Sequence, residues 1–84
     1  MQVKTTPQFI KSLDRLDTPV KRRILDKARE LAGDPHGGKM LKGELGGLFS
    51  LRVGDYRVVY WIDYKESTVW LVDVGHRKQV YRRT

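Results

Sequence analysis

Between Leu48 and Val74, three runs rich in β-branched and aromatic residues are separated by two short turn signals. That pattern makes the second half of the chain an antiparallel meander. In Leu48–Val53, the residues Phe49, Leu51 and Val53 alternate with Leu48, Ser50 and Arg52, the period of a half-buried strand. Gly54-Asp55 is a two-residue hairpin signal, Tyr56–Asp63 supplies the returning strand, and Lys65-Glu66 marks the next turn. Residues 68–74 complete the meander, and Gly75 is expected to end it.

The first half reads differently. Gln2–Thr5, with Val3 between polar neighbours, is expected as a short first strand. Thr6-Pro7 then combines an N-cap residue with a proline at the first helical position, opening a helix over residues 7–16. Phe9, Ile10, Leu13 and Leu16 make its apolar stripe. Asp17-Thr18-Pro19 repeats the signal, and Val20, Ile24, Ala28 and Leu31 form a second stripe before Gly33 and Pro35 stop the helix. The glycine-rich stretch 36–47 carries no sustained period and reads as a loop anchored by Met40, Leu41 and Leu45. With 84 residues there is no room for a second domain. The expectation is one α+β domain over residues 1–84, ordered β-α-α-β-β-β, with the helices on one face of a mainly antiparallel sheet. A short C-terminal tail or helical turn is expected to follow.

Composition narrows the function classes. The absence of cysteine excludes disulfides and thiolate metal sites, and two histidines cannot complete a structural metal shell without carboxylates. No metal or other cofactor is implied. There is no apolar run of signal or membrane-spanning length, so a soluble, cytoplasmic protein without membrane partners is expected. Seventeen Lys and Arg against ten Asp and Glu leave a formal charge of +7, which calls for a polyanion or an acidic protein partner. Arg77, Lys78, Arg82 and Arg83 place four of the cations, and no acid, in the last nine residues.

Pairing across Gly54-Asp55 sets Val53 opposite Tyr56, Arg52 opposite Arg57, Leu51 opposite Val58 and Ser50 opposite Val59. Phe49, Leu51, Val53, Tyr56, Val58 and Tyr60 then line one face, and Ser50, Arg52, Arg57, Val59 and Trp61 the other. Like charges directly opposite each other destabilise a sheet, so Arg52 and Arg57 await something from outside, and a phosphate matches their planar donor forks. The competing reading is that both side chains are solvated, or that Asp55 or Asp73 pairs with one of them. Arg77 and Tyr81, beyond the third strand, are placed to return to the same surface. The set suits a phosphodiester whose charge grows in the transition state, with the phenol stacking on a base or moving a proton. His76 adds a group with an ordinary pKa near neutrality.

The run Leu51-Arg52-Val53-Gly54-Asp55-Tyr56-Arg57-Val58-Val59-Tyr60, followed by Val74-Gly75-His76-Arg77 and Val80-Tyr81, resembles the signature of the RelE family of bacterial and archaeal toxins, within the RelE/ParE superfamily. Phe9 and Leu13 in the first helix, Asp34-Pro35 after the second, and Lys39, Leu41 and Gly43 in the loop follow the same family order. The resemblance implies a small α/β domain and a ribosome-dependent messenger RNA interferase of a type II toxin–antitoxin system. In that chemistry a ribose 2′-hydroxyl attacks the adjacent phosphate, and no metal is required. It also implies an acidic, RelB-like antitoxin that wraps the toxin, with operator DNA reached only through that antitoxin. Carried over by position, Arg52, Arg57 and Arg77 hold the scissile phosphate, and Tyr81 stacks on or orients the attacked nucleotide. Lys39 and Lys42 contact RNA or the ribosome.

At Ser50 the chain departs from the family prototype, which carries a lysine there as a leading candidate for proton acceptor. Arginine is too weak an acid to serve as a base, so the duty passes to His76, to Tyr81, or to no residue. Two other functions fit the same resemblance: a ParE-like inhibitor of DNA gyrase, and a catalytically silent module that binds an antitoxin as co-repressor.

Overall fold

A computed structural model describes residues 1–43 and 46–79. Strand β1 (Gln2–Thr5) leads into helices α1 (Pro7–Asp14) and α2 (Thr18–Arg29), and a 3₁₀ turn at Glu30–Ala32 extends α2. Four strands follow: β2 (Lys39–Met40), β3 (Leu48–Val53), β4 (Tyr56–Asp63) and β5 (Thr68–His76). They form a single five-stranded sheet in the order β1-β5-β4-β3-β2, with β1 parallel to β5 and every other pair antiparallel. The α+β architecture inferred from periodicity is the one observed.

Thr6 starts α1 from an extended conformation, accepting the Phe9 N–H at 3.2 Å while its own hydroxyl donates to the Val72 carbonyl at 2.9 Å. One side chain thus caps the helix and ties it to β5. The helix ends at Asp14, short of the expected residue 16, because the Arg15 and Leu16 N–H groups turn to the Ser12 and Leu13 carbonyls. Leu16 still packs against the core. Phe9, Leu13, Ile24, Ala28 and Leu31 from the helices meet Phe49, Val53, Val58, Tyr60 and Val74 from the sheet. Burying each large aliphatic among them is worth about 1.5–3 kcal/mol.

The hairpin register is the one deduced from the turn signal: Val53 faces Tyr56, Arg52 faces Arg57, Leu51 faces Val58 and Ser50 faces Val59. Gly54 takes a φ of 62°, the left-handed value that the first loop position of a type II′ turn requires.

Three further features differ from the expectation. The stretch read as a loop contains β2, where Lys39 pairs with Ser50 and Met40 with Phe49, and the Leu41 N–H adds a bond to the Leu48 carbonyl at 2.9 Å. Glycine, taken as a loop signal, is what makes this pairing possible. A Cβ on Gly38 would lie 2.7 Å from both the Ser50 carbonyl and the Tyr60 hydroxyl. Next, Gly75 does not end the last strand. It pairs with Arg57, and β5 continues to His76. Finally, a bulge between Val59 and Tyr60 interrupts the β4–β5 register, so that Val59 pairs with Asp73 but Tyr60 with Leu71. Residues 77–79 form a turn closed by the Gln79 N–H on the His76 carbonyl at 2.9 Å. The expected anchor Leu45, the C-terminal tail, Tyr81, Arg82 and Arg83 lie outside the described residues.

Candidate functional site

Strand pairing arranges the face away from the core in rows about 6.8 Å apart, two residues of rise. The first row runs Arg52, Arg57, Gly75, and the second Lys39, Ser50, Val59. The third runs Leu48, Trp61, Trp70, with Lys4 of β1 alongside and its ammonium 5.7 Å from the Trp70 ring. Two of these rows carry cations over small side chains, and the third offers aromatic surface. Trp61 is 43 % exposed.

Within the first row Arg52 is exposed, its Nε donating to the Gly54 carbonyl at 3.3 Å, and Arg57 is half-buried. The Arg57 Nη1 is shielded from solvent and has no hydrogen-bond partner among the described residues. A buried donor in that state costs about 1–3 kcal/mol, which an incoming acceptor oxygen would remove. Glycine at position 75 leaves no side chain beside Arg57 on its β5 side.

Neither acid that could have neutralised the pair does so. The only ion pairs among the described residues are Lys27–Glu30 and Arg29–Asp26, both on α2 and its extension. Asp73, at the bulge, is fully buried, and its Oδ1 accepts from Ser12 Oγ at 2.6 Å and from the Val74 N–H at 2.8 Å. The bulge therefore hands this carboxylate to α1 and keeps it off the arginines. Asp55 contributes its carbonyl, which accepts the Arg77 N–H at 3.0 Å. Arg77 is thereby fixed at the corner where β5 leaves the sheet beside the β3–β4 turn.

His76 does not join this group. It pairs with Tyr56 on the core side of the sheet, the rings 6.1 Å apart, and lines a hollow with Ser12, Arg15 and Gln79. Its Nδ1 accepts the Lys78 N–H at 3.3 Å, which leaves the proton of the neutral ring on Nε2. Lys39 is exposed on the arginine face, directly across from Ser50. Lys42, also exposed, lies past the last β2–β3 bond and away from the arginine row. Ser50, between Lys39 and Val59 in its row, is buried at 7 % exposure.

Sequence reasoning missed one part of the arrangement. The Tyr60 hydroxyl accepts the Gly38 N–H at 2.9 Å and donates to the Pro35 carbonyl at 2.8 Å, pinning the segment that carries Lys39. Burial pushes the phenol pKa above its ordinary value of 10.0, against the lowering effect of the Gly38 bond. The adjacent glycines were the available signal, since a glycine beside a strand marks close backbone approach as well as a loop.

Among the described residues no helix is long and apolar enough to cross a membrane. Comparison with known proteins gives consistent results. The sequence model of the ParE toxin of the type II toxin–antitoxin system parDE matches residues 3–81. Toxin RelG of Mycobacterium tuberculosis is 50 % identical over 46 residues, 55 % of this chain and 53 % of that protein. The chain spans about half the length of the curated relatives it matches. Among solved structures, the toxin–antitoxin complex RelBE2 of M. tuberculosis aligns with a TM-score of 0.84 and 35 % identity over 90 % of both chains. The archaeal RelE–RelB complex of Pyrococcus horikoshii aligns at 0.75 and 28 %, over 93 % of this chain and 96 % of that one. A match along nearly the whole sequence, on a fold shared with toxins solved beside their antitoxins, shows that the chain belongs to the RelE/ParE family of type II toxin–antitoxin toxins.

Proposed function

We propose that this toxin is a ribosome-dependent endoribonuclease that cuts messenger RNA in the ribosomal A site, in the cytoplasm, and so stops translation. In this reading residues 1–84 act as one domain. A 2′-hydroxyl oxygen attacks the adjacent phosphorus, the bond to the 5′ oxygen breaks, and a cyclic phosphate and a 5′-hydroxyl result. One proton leaves the nucleophile and one is taken up by the leaving oxygen. Arg52 and Arg57 hold the phosphate, and Arg77 closes the same end of the face. These guanidinium groups stabilise the charge that grows on the phosphate oxygens. The observation that carries the reading is the solvent-shielded Nη1 of Arg57 beside a glycine, a donor with no acceptor among the described residues. Tyr81, by resemblance, stacks on the attacked nucleotide.

His76 is left out of the phosphate site by its position on the other side of the sheet. The neighbours solved with RelB antitoxins support an acidic antitoxin as partner, and the +7 charge of this chain supplies the attraction. Such a partner would link the toxin to operator DNA.

The test is primer extension on programmed ribosomes carrying a defined message, with naked RNA as control. Cleavage at the A-site codon only on ribosomes is expected, and R57A should lower it by about 10²–10³-fold, the usual loss for one donor to a developing anion. An intact message with wild-type protein would overturn the reading. Gyrase inhibition, favoured by the ParE description of the matching family, would then be measured by supercoiling.

A further inference from the structure

On the cationic face the second row is occupied from the sheet edge. Lys39 of β2 stands directly across from Ser50, and Ser50 from Val59, so the two inner positions of the row carry short side chains. Directly paired residues have Cβ atoms about 4.5–5.5 Å apart, and the next position along the same face is about 6.8 Å on. Lys39 is therefore the diagonal neighbour of Arg52, and no side chain longer than serine or valine separates it from Arg57. A four-carbon stem spans Ser50 easily. Three cations border a low floor, and the ammonium of Lys39 makes no ion pair among the described residues.

The backbone that carries Lys39 is held firmly for so short a strand. Pro35 and Gly38 are both bonded to the buried Tyr60 hydroxyl, and Gly38 sits where any Cβ would strike the Ser50 carbonyl. Lys39 itself pairs in register with Ser50. An edge residue held in this way starts its side chain from a fixed point, which lowers the cost of aiming it at a ligand. Met40, the next residue, belongs to the opposite face, so Lys39 is the β2 side chain that shares a face with the arginines.

We propose that Lys39 supplies a further cation of the phosphate site, reaching over Ser50 to the phosphodiester that Arg52 and Arg57 hold. The proposal rests on the RNA-cleavage reading and adds to it a catalytic residue contributed by the edge strand. Lys39 acts through its charge: its ammonium contacts a non-bridging oxygen and opposes the charge that builds there.

The experiment compares wild type, K39A, K39R and K39A/S50K in two assays, with a thermal melt of each variant. One assay is single-turnover cleavage on programmed ribosomes. The other is fluorescence anisotropy with a short single-stranded RNA over a range of salt concentrations. K39A is expected to melt like wild type, since the side chain is exposed, and to cleave about 10²-fold more slowly, as for loss of one donor to a developing anion. Its slope of log affinity against log salt should be shallower by about 0.7, the value for one phosphate contact on a single strand. K39R should keep the slope and most of the rate, and K39A/S50K should recover both by placing the ammonium one strand inward. K39A with wild-type rate and slope would overturn the proposal. If wild type fails to cleave, the cleavage reading falls by itself and the salt slope decides Lys39: a shallower slope in K39A sustains the contact, and an unchanged one removes it. Should the double variant melt early, K39R against K39A makes the same decision.

Discussion

The Tyr60 hydroxyl lies out of reach of water, so both its donor and its acceptor capacity have to be met inside the protein. Pro35 and Gly38 meet them, and the same two bonds set the edge strand that presents Lys39. Burial keeps this phenol protonated beyond its ordinary range. The pH dependence follows from that direction. Above the unfolded value of 10.0 the unfolded chain releases the Tyr60 proton while the folded chain retains it, so the unfolded state binds fewer protons and stability falls as pH rises. The contribution is fully present below pH 10.0 and is lost as pH climbs toward the raised folded value. Tyr60→Phe cannot titrate. At neutral pH it should be less stable than wild type by about 1–3 kcal/mol, because the Gly38 N–H and Pro35 carbonyl lose their partner. That gap should narrow above pH 10.0, where only wild type pays for ionisation. Urea denaturation at a series of pH values reads both effects, and a gap constant through alkaline pH would contradict the assignment.

At the scale of elements, Thr6 joins what proximity in sequence does not. It caps α1 and binds the carbonyls of β5, 65 and 66 residues away. Thr6→Ala should cost about 1–2 kcal/mol in urea denaturation with little change in the slope, and Thr6→Ser should restore most of it because the hydroxyl is retained. Equal stability for all three proteins would show that the cap carries no weight. This element was legible in the sequence, since threonine followed by proline has a local cause that depends on nothing distant. So was the β3–β4 register, because Gly54-Asp55 fixes it and a slip of one residue would send the apolar set to the wrong face. Strand β2 was not legible: two residues have no period, and the glycine just before it, Gly38, serves an approach to Tyr60 and Ser50 that only the folded sheet reveals. The bulge at Val59 and Tyr60 escaped for a similar reason, as Asp73 and Ser12 lie 61 residues apart and no local pattern announces their bond. Of the candidate site, the Arg52–Arg57 pair was readable from alternation. The separation of His76 from it was not, because the position of Gly75 inside the strand decides which face His76 takes.

For the whole molecule the governing quantity is an unbalanced charge of +7 on a body with a radius of gyration of 11.7 Å. At about 0.01 M salt the screening length is about 30 Å, so charges on opposite sides of this protein repel one another, whereas at about 0.15 M it is about 8 Å and only neighbours interact. The ion pairs among the described residues are exposed, one turn apart on α2 and its extension, and each is worth at most about 1 kcal/mol. They do not offset the excess. Salt should therefore raise the melting temperature of the free toxin over that range, by screening repulsion that the unfolded chain relieves through expansion. A polyanion should reverse the sign. In the presence of a short single-stranded RNA the toxin should melt higher at low salt than at high salt, because each bound phosphate displaces counterions and that gain shrinks as salt rises. R52A/R57A should keep the salt response of the free protein while losing much of the RNA-induced shift, since it removes two charges of the seventeen but the paired cations of the site. A melting temperature of the free protein that falls with salt would mean that attraction between charges outweighs repulsion in the folded state. An RNA-induced shift unaffected by the double substitution would place the polyanion on another surface and withdraw the arginine row from the function.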